Sequence, residues 1–365
     1  MIGIISGSTL GGISVLLACL FVYRALRQRL NARALTIQSP NGIAEGRFVP
    51  IGSIDQWVQI RGEDRANPIL LIVSGHGLSM GAFTPLLRSW EQHFTVAQWD
   101  RRGIGKTLSR NGKANSQTWT LDRMVADGIE SAEYLCRHLG QEKVILVGLS
   151  QGSALGLLMI KRRPDLFHAY VGTGQIIDML RNETVSYGTA IERARATHQT
   201  RALKALEDIG APPYPQVRTW IVKQRWGMIT APEIAAWQSM APRLILSAPN
   251  YSLRDLYSTI AGLYFMPQRF YDDYMAFDAR RLGTGFGIPF FVFQGDEDVL
   301  TPTALTEEYM ATVTAPASEL VLLAGGGHMA ILTHSDQFLQ ALLQHVRPLT
   351  ISNQSASCMA YQARA

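Results

Sequence analysis

Short apolar runs alternate with segments of helical period along most of the chain. Gly46 to Ile51 and Asp55 to Ile60 alternate apolar and polar positions around Gly52-Ser53, which predicts an antiparallel β-hairpin. Ile69 to Val73, Thr95 to Trp99 and Val144 to Val147 are nearly unbroken apolar runs, separated by helical patterns at Phe83 to Gln92 and Leu121 to Leu139. Runs this short, alternating with helices, predict buried strands of a mostly parallel sheet covered on both faces. Ala169 to Gly172 continues the rhythm. Phe290 to Phe293 and Leu320 to Leu323 resume it much later, before a last helix at Ser335 to Val346. Between about Ile176 and Leu282 the strand rhythm stops and the pattern turns helical, broken at Pro212, Pro213, Pro215, Pro232 and Pro242. The expected organisation is an α/β core over 45–175 and 283–349, a helical cap over 176–282, and a polar, aperiodic, flexible tail over 350–365.

The first segment follows neither pattern. Met1 to Tyr23 has no charged side chain and as a helix would extend about 33 Å at 1.5 Å per residue, the thickness of a bilayer core. Arg24, Arg27, Arg29 and Arg33 come after this run, whereas a cleaved signal peptide carries its basic residues in front. These features predict an uncleaved single-pass transmembrane anchor over 1–23 and a basic linker over 24–44. Because arginines beside a span tend to stay cytoplasmic, the body is expected on the cytoplasmic side. Gly3, Gly7 and Gly11 recur every fourth residue, a spacing that lets two membrane helices approach as a homodimer.

Composition narrows the function. The chain has 365 residues, 47% hydrophobic and 17% charged, which excludes a disordered protein. Its formal net charge is +5, and the four linker arginines supply most of it, so the body is nearly neutral and nucleic acid is not an expected partner. Cys19, Cys136 and Cys358 have neither the number nor the spacing of a disulfide framework or a zinc site.

The chemistry is concentrated at three strand ends. Val144 to Leu149 runs into Gly148-Leu149-Ser150-Gln151-Gly152 and then a helical pattern, the G-x-S-x-G nucleophile elbow in a strand–turn–helix context. A serine hydroxyl needs a base to take its proton, and the base needs a carboxylate to orient it. Leu320 to Leu323 leads through Ala324-Gly325-Gly326-Gly327 to His328, and Phe290 to Phe293 leads into Gln294-Gly295-Asp296-Glu297-Asp298. Ser150, an acid at Asp298 or Asp296, and His328 stand in the order that this architecture requires. A developing oxyanion needs backbone donors. The Gln151 N–H supplies one, and the loop Ser74-Gly75-His76-Gly77-Leu78 supplies another, at His76 or alternatively Leu78. His138 and His345 fall in helical patterns and are read as surface or packing residues. The elbow glycines flank a nucleophile and do not form a dinucleotide or phosphate-loop fingerprint, so no cofactor is expected.

Taken with Trp99-Asp100-Arg101-Arg102-Gly103-Ile104-Gly105-Lys106-Thr107, Pro164-Asp165-Leu166-Phe167 and Tyr170-Val171-Gly172-Thr173-Gly174-Gln175, the pattern from about Gly46 to Leu349 resembles the α/β-hydrolase superfamily. Within it, the chain is similar to the proline-iminopeptidase-like branch of serine hydrolases. The resemblance implies an α/β-hydrolase fold with an inserted cap that shapes the substrate pocket, and an acid three residues after a glycine, which favours Asp298 after Gly295. It also implies a free amine held by cap carboxylates, for which Glu183, Glu192, Glu233, Asp272 and Asp273 are the candidates. The chain departs from that branch in its oxyanion loop, which has Ser74-Gly75-His76-Gly77-Leu78 in place of H-G-G-P-G, and in having Gln151 rather than tryptophan after the nucleophile. The expected function is therefore a serine hydrolase acting through an acyl-enzyme on a small molecule or short peptide. Aminopeptidase and carboxylesterase or lipase-like activities both remain open, and a non-catalytic membrane-held binding protein is the alternative of another class. Trp220, Trp226 and Trp237, with Tyr264, Phe265, Phe270, Tyr271, Tyr274 and Phe277, are expected to pack cap on core, some of them lining an apolar pocket.

Overall fold

A computed structural model describes residues 2–350 apart from 114, 115, 117 and 118, with side chains described from residue 14 onward. Its centre is an eight-stranded sheet in the order β1-β2-β4-β3-β5-β6-β7-β8. The strands are β1 (Ile43–Ile51), β2 (Ile54–Gly62), β3 (Ile69–Val73), β4 (Thr95–Asp100), β5 (Val144–Leu149), β6 (Phe167–Thr173), β7 (Phe290–Gly295) and β8 (Ser318–Leu323). β1 and β2 form the expected hairpin, with Gly52 and Ser53 both at positive φ (55° and 64°), as a two-residue turn between right-twisted strands requires. β2 pairs antiparallel with β4, and from β4 to β8 every pairing is parallel. The all-apolar run of β3 is buried at every residue, with helices and loops on both faces and one large apolar cluster on each side.

The helices are α1 (Ile2–Ala34), α2 (Gly105–Asn111), α3 (Leu121–Leu139), α4 (Gln151–Arg162), α5 (Met179–Ala196), α6 (Thr200–Ile209), α7 (Val217–Thr230), α8 (Ile234–Leu246), α9 (Leu253–Met275), α10 (Thr303–Met310), α11 (Ala330–Thr333) and α12 (Ser335–Ala341). α3 starts where the Thr120 side chain accepts from Arg123 N–H and stops at Gly140 in the left-handed conformation (φ 69°). α5 to α9 lie between β6 and β7 in sequence and form the helical insertion. α9 opens with a capping box between Ser252 and Asp255 and is kinked at Phe270, three residues after Pro267.

Three expectations need correction. The stretch Phe83 to Gln92 is two 3-10 segments, Met80–Leu87 and Trp90–Gln92, because Pro85 has no N–H to give an α-helical ladder. The closing helix is α only to Ala341 and continues as a π turn over Leu342–Val346. At the other end, no break separates an anchor from a linker: α1 runs straight through Arg24 to Ala34, a stretch rich in Ala, Leu, Arg and Gln, all good helix formers. Its Arg24, Gln28 and Asn31 bond to the connection between α8 and α9, so residues 24–34 of the expected 24–44 linker are a docked helical segment, while its last two residues open β1. Among the described residues no helix is long and apolar enough to cross a membrane. The side chains of the first 13 residues, including the spacing Gly3, Gly7 and Gly11, lie outside the described residues, as does the tail from 351 onward.

Candidate active site

Ser150 occupies the turn between β5 and α4 with φ +54° and ψ −122°, a conformation that costs a non-glycine residue about 1–3 kcal/mol and lifts the side chain off the sheet edge. The turn is held by the Ser150 N–H donating to Thr173 O (2.9 Å) and by the Ser150 carbonyl accepting from Ser153 N–H (2.7 Å) and Ser153 Oγ (2.6 Å). Gly152 is required by close approach, since a Cβ there would stand 2.0 Å from the Val73 carbonyl oxygen.

The three strand ends converge. Ser150 Oγ is 3.0 Å from His328 Nε2, and His328 Nδ1 is 3.0 Å from Asp298 Oδ2 and 3.3 Å from Oδ1. Asp298 is fixed from every side: Leu300 N–H and Thr301 N–H donate to Oδ1 at 2.9 Å, while Thr301 Oγ1 (2.6 Å) and Gln294 Nε2 (3.0 Å) donate to Oδ2. Asp296, its competitor in sequence, is exposed and accepts from Gly325 N–H, away from the histidine ring. Burial is the largest single influence on His328 and opposes its charge. The Asp298 charge and hydrogen bond, joined by the Glu233 charge, together outweigh it, so the imidazole pKa lies above the ordinary 6.5 despite nearby Lys223.

Gln151 heads α4, where a first-turn N–H has no partner within the helix. Opposite it, His76 N–H donates to the Gln151 side-chain carbonyl at 3.2 Å, and the His76 backbone has φ +37°. Leu78 is not available as a donor, because its N–H closes a turn onto Gly75 O (2.9 Å). The His76 ring packs on Trp220 (centroids 4.7 Å apart), and burial, aided by Arg101 and His328, lowers its pKa to about 3, so the ring is neutral at physiological pH. Buried Arg101 donates to the Ser74 carbonyl through Nε (3.4 Å) and Nη2 (3.3 Å). The Trp99 to Thr107 segment therefore braces the loop that carries His76, a role for Arg101 that the sequence did not disclose.

A cavity of about 680 Å³ opens above Ser150, within the size range of small-molecule sites. Its walls are overwhelmingly apolar and include Trp220, Trp237, Met228 and Ile260. Of the other aromatic candidates, Phe270, Tyr274 and Phe277 are buried and Tyr264 is exposed. The five cap carboxylates separate sharply. Glu192, Asp272 and Asp273 are exposed and lie outside the cavity wall. Glu183 lines the cavity but is fully buried against Lys223 (2.8 Å) and accepts from Gln224 Nε2 (3.0 Å). Glu233, at the start of α8, accepts the Met329 N–H at 3.1 and 3.2 Å, and a Cβ at Gly327 would stand 2.5 Å from its carboxyl carbon. Burial, first, raises the Glu233 pKa, against the pull of His328.

Sequence reasoning missed the residues that support Asp298. Gln294 carried a signal, being a polar residue inside an otherwise apolar run, and it proves fully buried. Thr301 carried none.

The same strands and loops recur in known proteins. The alpha/beta hydrolase fold family matches residues 68–335. A probable aminopeptidase of Bacillus subtilis (strain 168), YbaC, is 27% identical over 324 residues, covering 85% of this chain and 99% of the relative. Among solved structures, a proline iminopeptidase-related protein of Thermus thermophilus superposes with a TM-score of 0.57 at 16% identity, covering 82% of this chain and 98% of that one. A membrane phospholipase A described as a bacterial virulence factor superposes with a TM-score of 0.56 at 16% identity, over 93% of this chain and 98% of that one. A match that runs from the strand before the His76 loop past His328 leaves one family for these elements, and the chain belongs to the alpha/beta hydrolase fold family.

Proposed function

We propose that the protein is a serine hydrolase that cleaves the ester of an apolar acyl group through an acyl-enzyme on Ser150. The observation that carries this reading is the hydrogen-bonded line Ser150 Oγ, His328 Nε2, His328 Nδ1, Asp298 at the floor of an apolar cavity. In it, Ser150 Oγ attacks the carbonyl carbon while His328 Nε2 takes its proton. Asp298 holds the ring through Nδ1 and stabilises the imidazolium. The tetrahedral oxyanion is met by the N–H groups of Gln151 and His76, with the Gln151 side chain swinging off His76 to admit it. Collapse expels the alcohol, which takes the proton from His328. Water, deprotonated by the same imidazole, then releases the acid and restores Ser150.

Two features favour the ester over a free N-terminal peptide. Glu183, the cap carboxylate on the cavity wall, is already paired with Lys223, and Glu233 is off that wall and turned to the Met329 N–H, so neither stands free beside the cavity to hold an ammonium group. The wall is otherwise predominantly apolar, with Asn182, Gln224 and Gln238 among its uncharged polar side chains. The relative named as a probable aminopeptidase supports the second reading, amide cleavage beside a free amine. A substrate panel separates the two. p-Nitrophenyl esters of lengthening acyl chain should be turned over with rising kcat/KM, and alanine or proline arylamides at least 100-fold more slowly. Arylamides cleaved faster than every ester, and only with a free amine, would install the aminopeptidase reading instead.

A further inference from the structure

The helical insertion turns apolar residues outward around the cavity entrance. Along α9, Leu253, Tyr257, Ile260 and Tyr264 recur at helical spacing and are 53, 72, 52 and 59% exposed, and Leu246 at the end of α8 is 56% exposed. Leu246 and Ile260 also belong to the cavity wall. The outward apolar face and the approach to Ser150 are therefore one continuous surface, and contiguous exposed patches of this kind mark interaction sites.

α1 reaches the same place through polar side chains. Its body-facing stripe is polar: Arg24 Nη2 donates to Tyr251 O (2.5 Å), Gln28 Nε2 to Ala248 O (2.8 Å) and Asn31 Nδ2 to Ser247 O (3.0 Å). The side away from these contacts carries Leu26 and Leu30, and the turn before Arg24 carries Leu20 and Phe21, each more than half exposed. A helix on a water-facing surface shows the opposite arrangement. Exposed Arg27, Arg29 and Arg33 stand among these residues, and the helix has no acidic residue.

We propose that this face, α9 and the end of α8 together with the outward side of α1, seats on an anionic phospholipid surface, with the cavity entrance directed into it. Apolar side chains would enter the acyl boundary and the arginines would meet headgroup phosphates, the division of labour of interfacial helices. A second copy of this chain fits less well, because a face-to-face pair would set these arginines against their own counterparts. Seating on the surface requires no membrane span. The substrate class that follows is an acyl ester of a membrane lipid, which would reach Ser150 without crossing water. Only this substrate clause rests on the acyl-enzyme reading. The balance is that of any ester: one water is consumed, the acyl group leaves as a fatty acid and the remainder of the lipid as an alcohol.

The test uses the full chain reconstituted with vesicles of phosphatidylcholine and phosphatidylglycerol. Spin labels are placed one at a time by Tyr257→Cys, Tyr264→Cys and, as a control on exposed α6, Lys204→Cys, with Cys19 and Cys358 changed to serine and buried Cys136 retained. Labels at 257 and 264 should be more accessible to oxygen than to an aqueous nickel chelate, and the label at 204 the reverse. Equal aqueous access at all three positions would overturn the docking, as would shielding of 257 and 264 from both reagents, which is the mark of a protein partner or a second copy. This readout needs no activity, so it stands or falls apart from the reaction. For the substrate clause, Tyr257→Ser with Tyr264→Ser should lower hydrolysis of vesicle-borne phospholipid at least tenfold while leaving kcat/KM for a short soluble ester within twofold. A wild-type protein that cleaves the soluble ester but no vesicle lipid would overturn that clause alone.

Discussion

His328 is held by two carboxylates of unequal standing. Asp298 bonds its ring directly, whereas Glu233 acts from the cap, through its charge and through the Met329 N–H in the loop that carries the ring. In the proposed reaction His328 must be neutral to accept the Ser150 proton, so a pKa above 6.5 would place the acid limb of kcat/KM above that of free histidine. Glu233 is one of the upward influences, and Glu233→Gln keeps an acceptor for Met329 N–H while removing the charge. The expected outcome is an acid limb moved to lower pH with kcat at the plateau within about tenfold of wild type; a limb that stays in place would leave Glu233 a purely structural part. The linkage to stability has the sign proper to a raised pKa. The favourable contribution of charged His328 is fully present below 6.5 and is lost as pH rises through the folded value. The three residues of the hydrogen-bonded line were legible in sequence because each follows a strand: an apolar run followed at once by Gly-x-Ser, Gly-x-x-Asp or a glycine-rich approach to histidine. Glu233 could be singled out only as a candidate for a substrate amine, because its contact with Met329 spans 96 positions and no local pattern encodes it.

At the scale of elements, the cap is fastened by a buried ion pair. Lys223 on α7 meets Glu183 on α5 at 2.8 Å with neither side chain exposed, and Lys223 Nζ also bonds Ser186 Oγ. Removing one partner strands the other charge in an apolar setting, which costs about 3–5 kcal/mol, whereas replacing both by apolar residues of similar volume is often neutral. Lys223→Met should therefore lower the stability from urea unfolding by that amount, and Lys223→Met with Glu183→Leu should recover most of it. Equal losses in the single and double variants would mean that packing volume, not charge, holds these helices. Elements were readable where one pattern dominates, as in β3 and α3, which run over the same residues in sequence and structure. They were misread where backbone chemistry overrides the apolar period, as at Pro85, or where a run of good helix formers carries a helix past a change in composition, as at Tyr23 and Arg24.

Across the whole molecule, a parallel sheet brings three loops to one edge, and the insertion between β6 and β7 closes an apolar cavity over them. The succession of strands along the chain and the place of the insertion among them could be read from apolar rhythm alone; the order of the strands in the sheet could not. Which cap residues face the cavity could not, because that depends on how α5 to α9 pack against one another. The proposed chemistry requires that this arrangement activate Ser150. The most direct measurement is the intact mass of the full chain after reaction with a fluorophosphonate probe, for wild type, Ser150→Ala and His328→Ala. The expected result is one adduct per chain in the wild type, localised to Ser150, none in Ser150→Ala, and labelling slowed by about 10⁴-fold or more in His328→Ala. A folded wild-type protein that takes no adduct, or a Ser150→Ala protein that is labelled as fast as wild type, would contradict it.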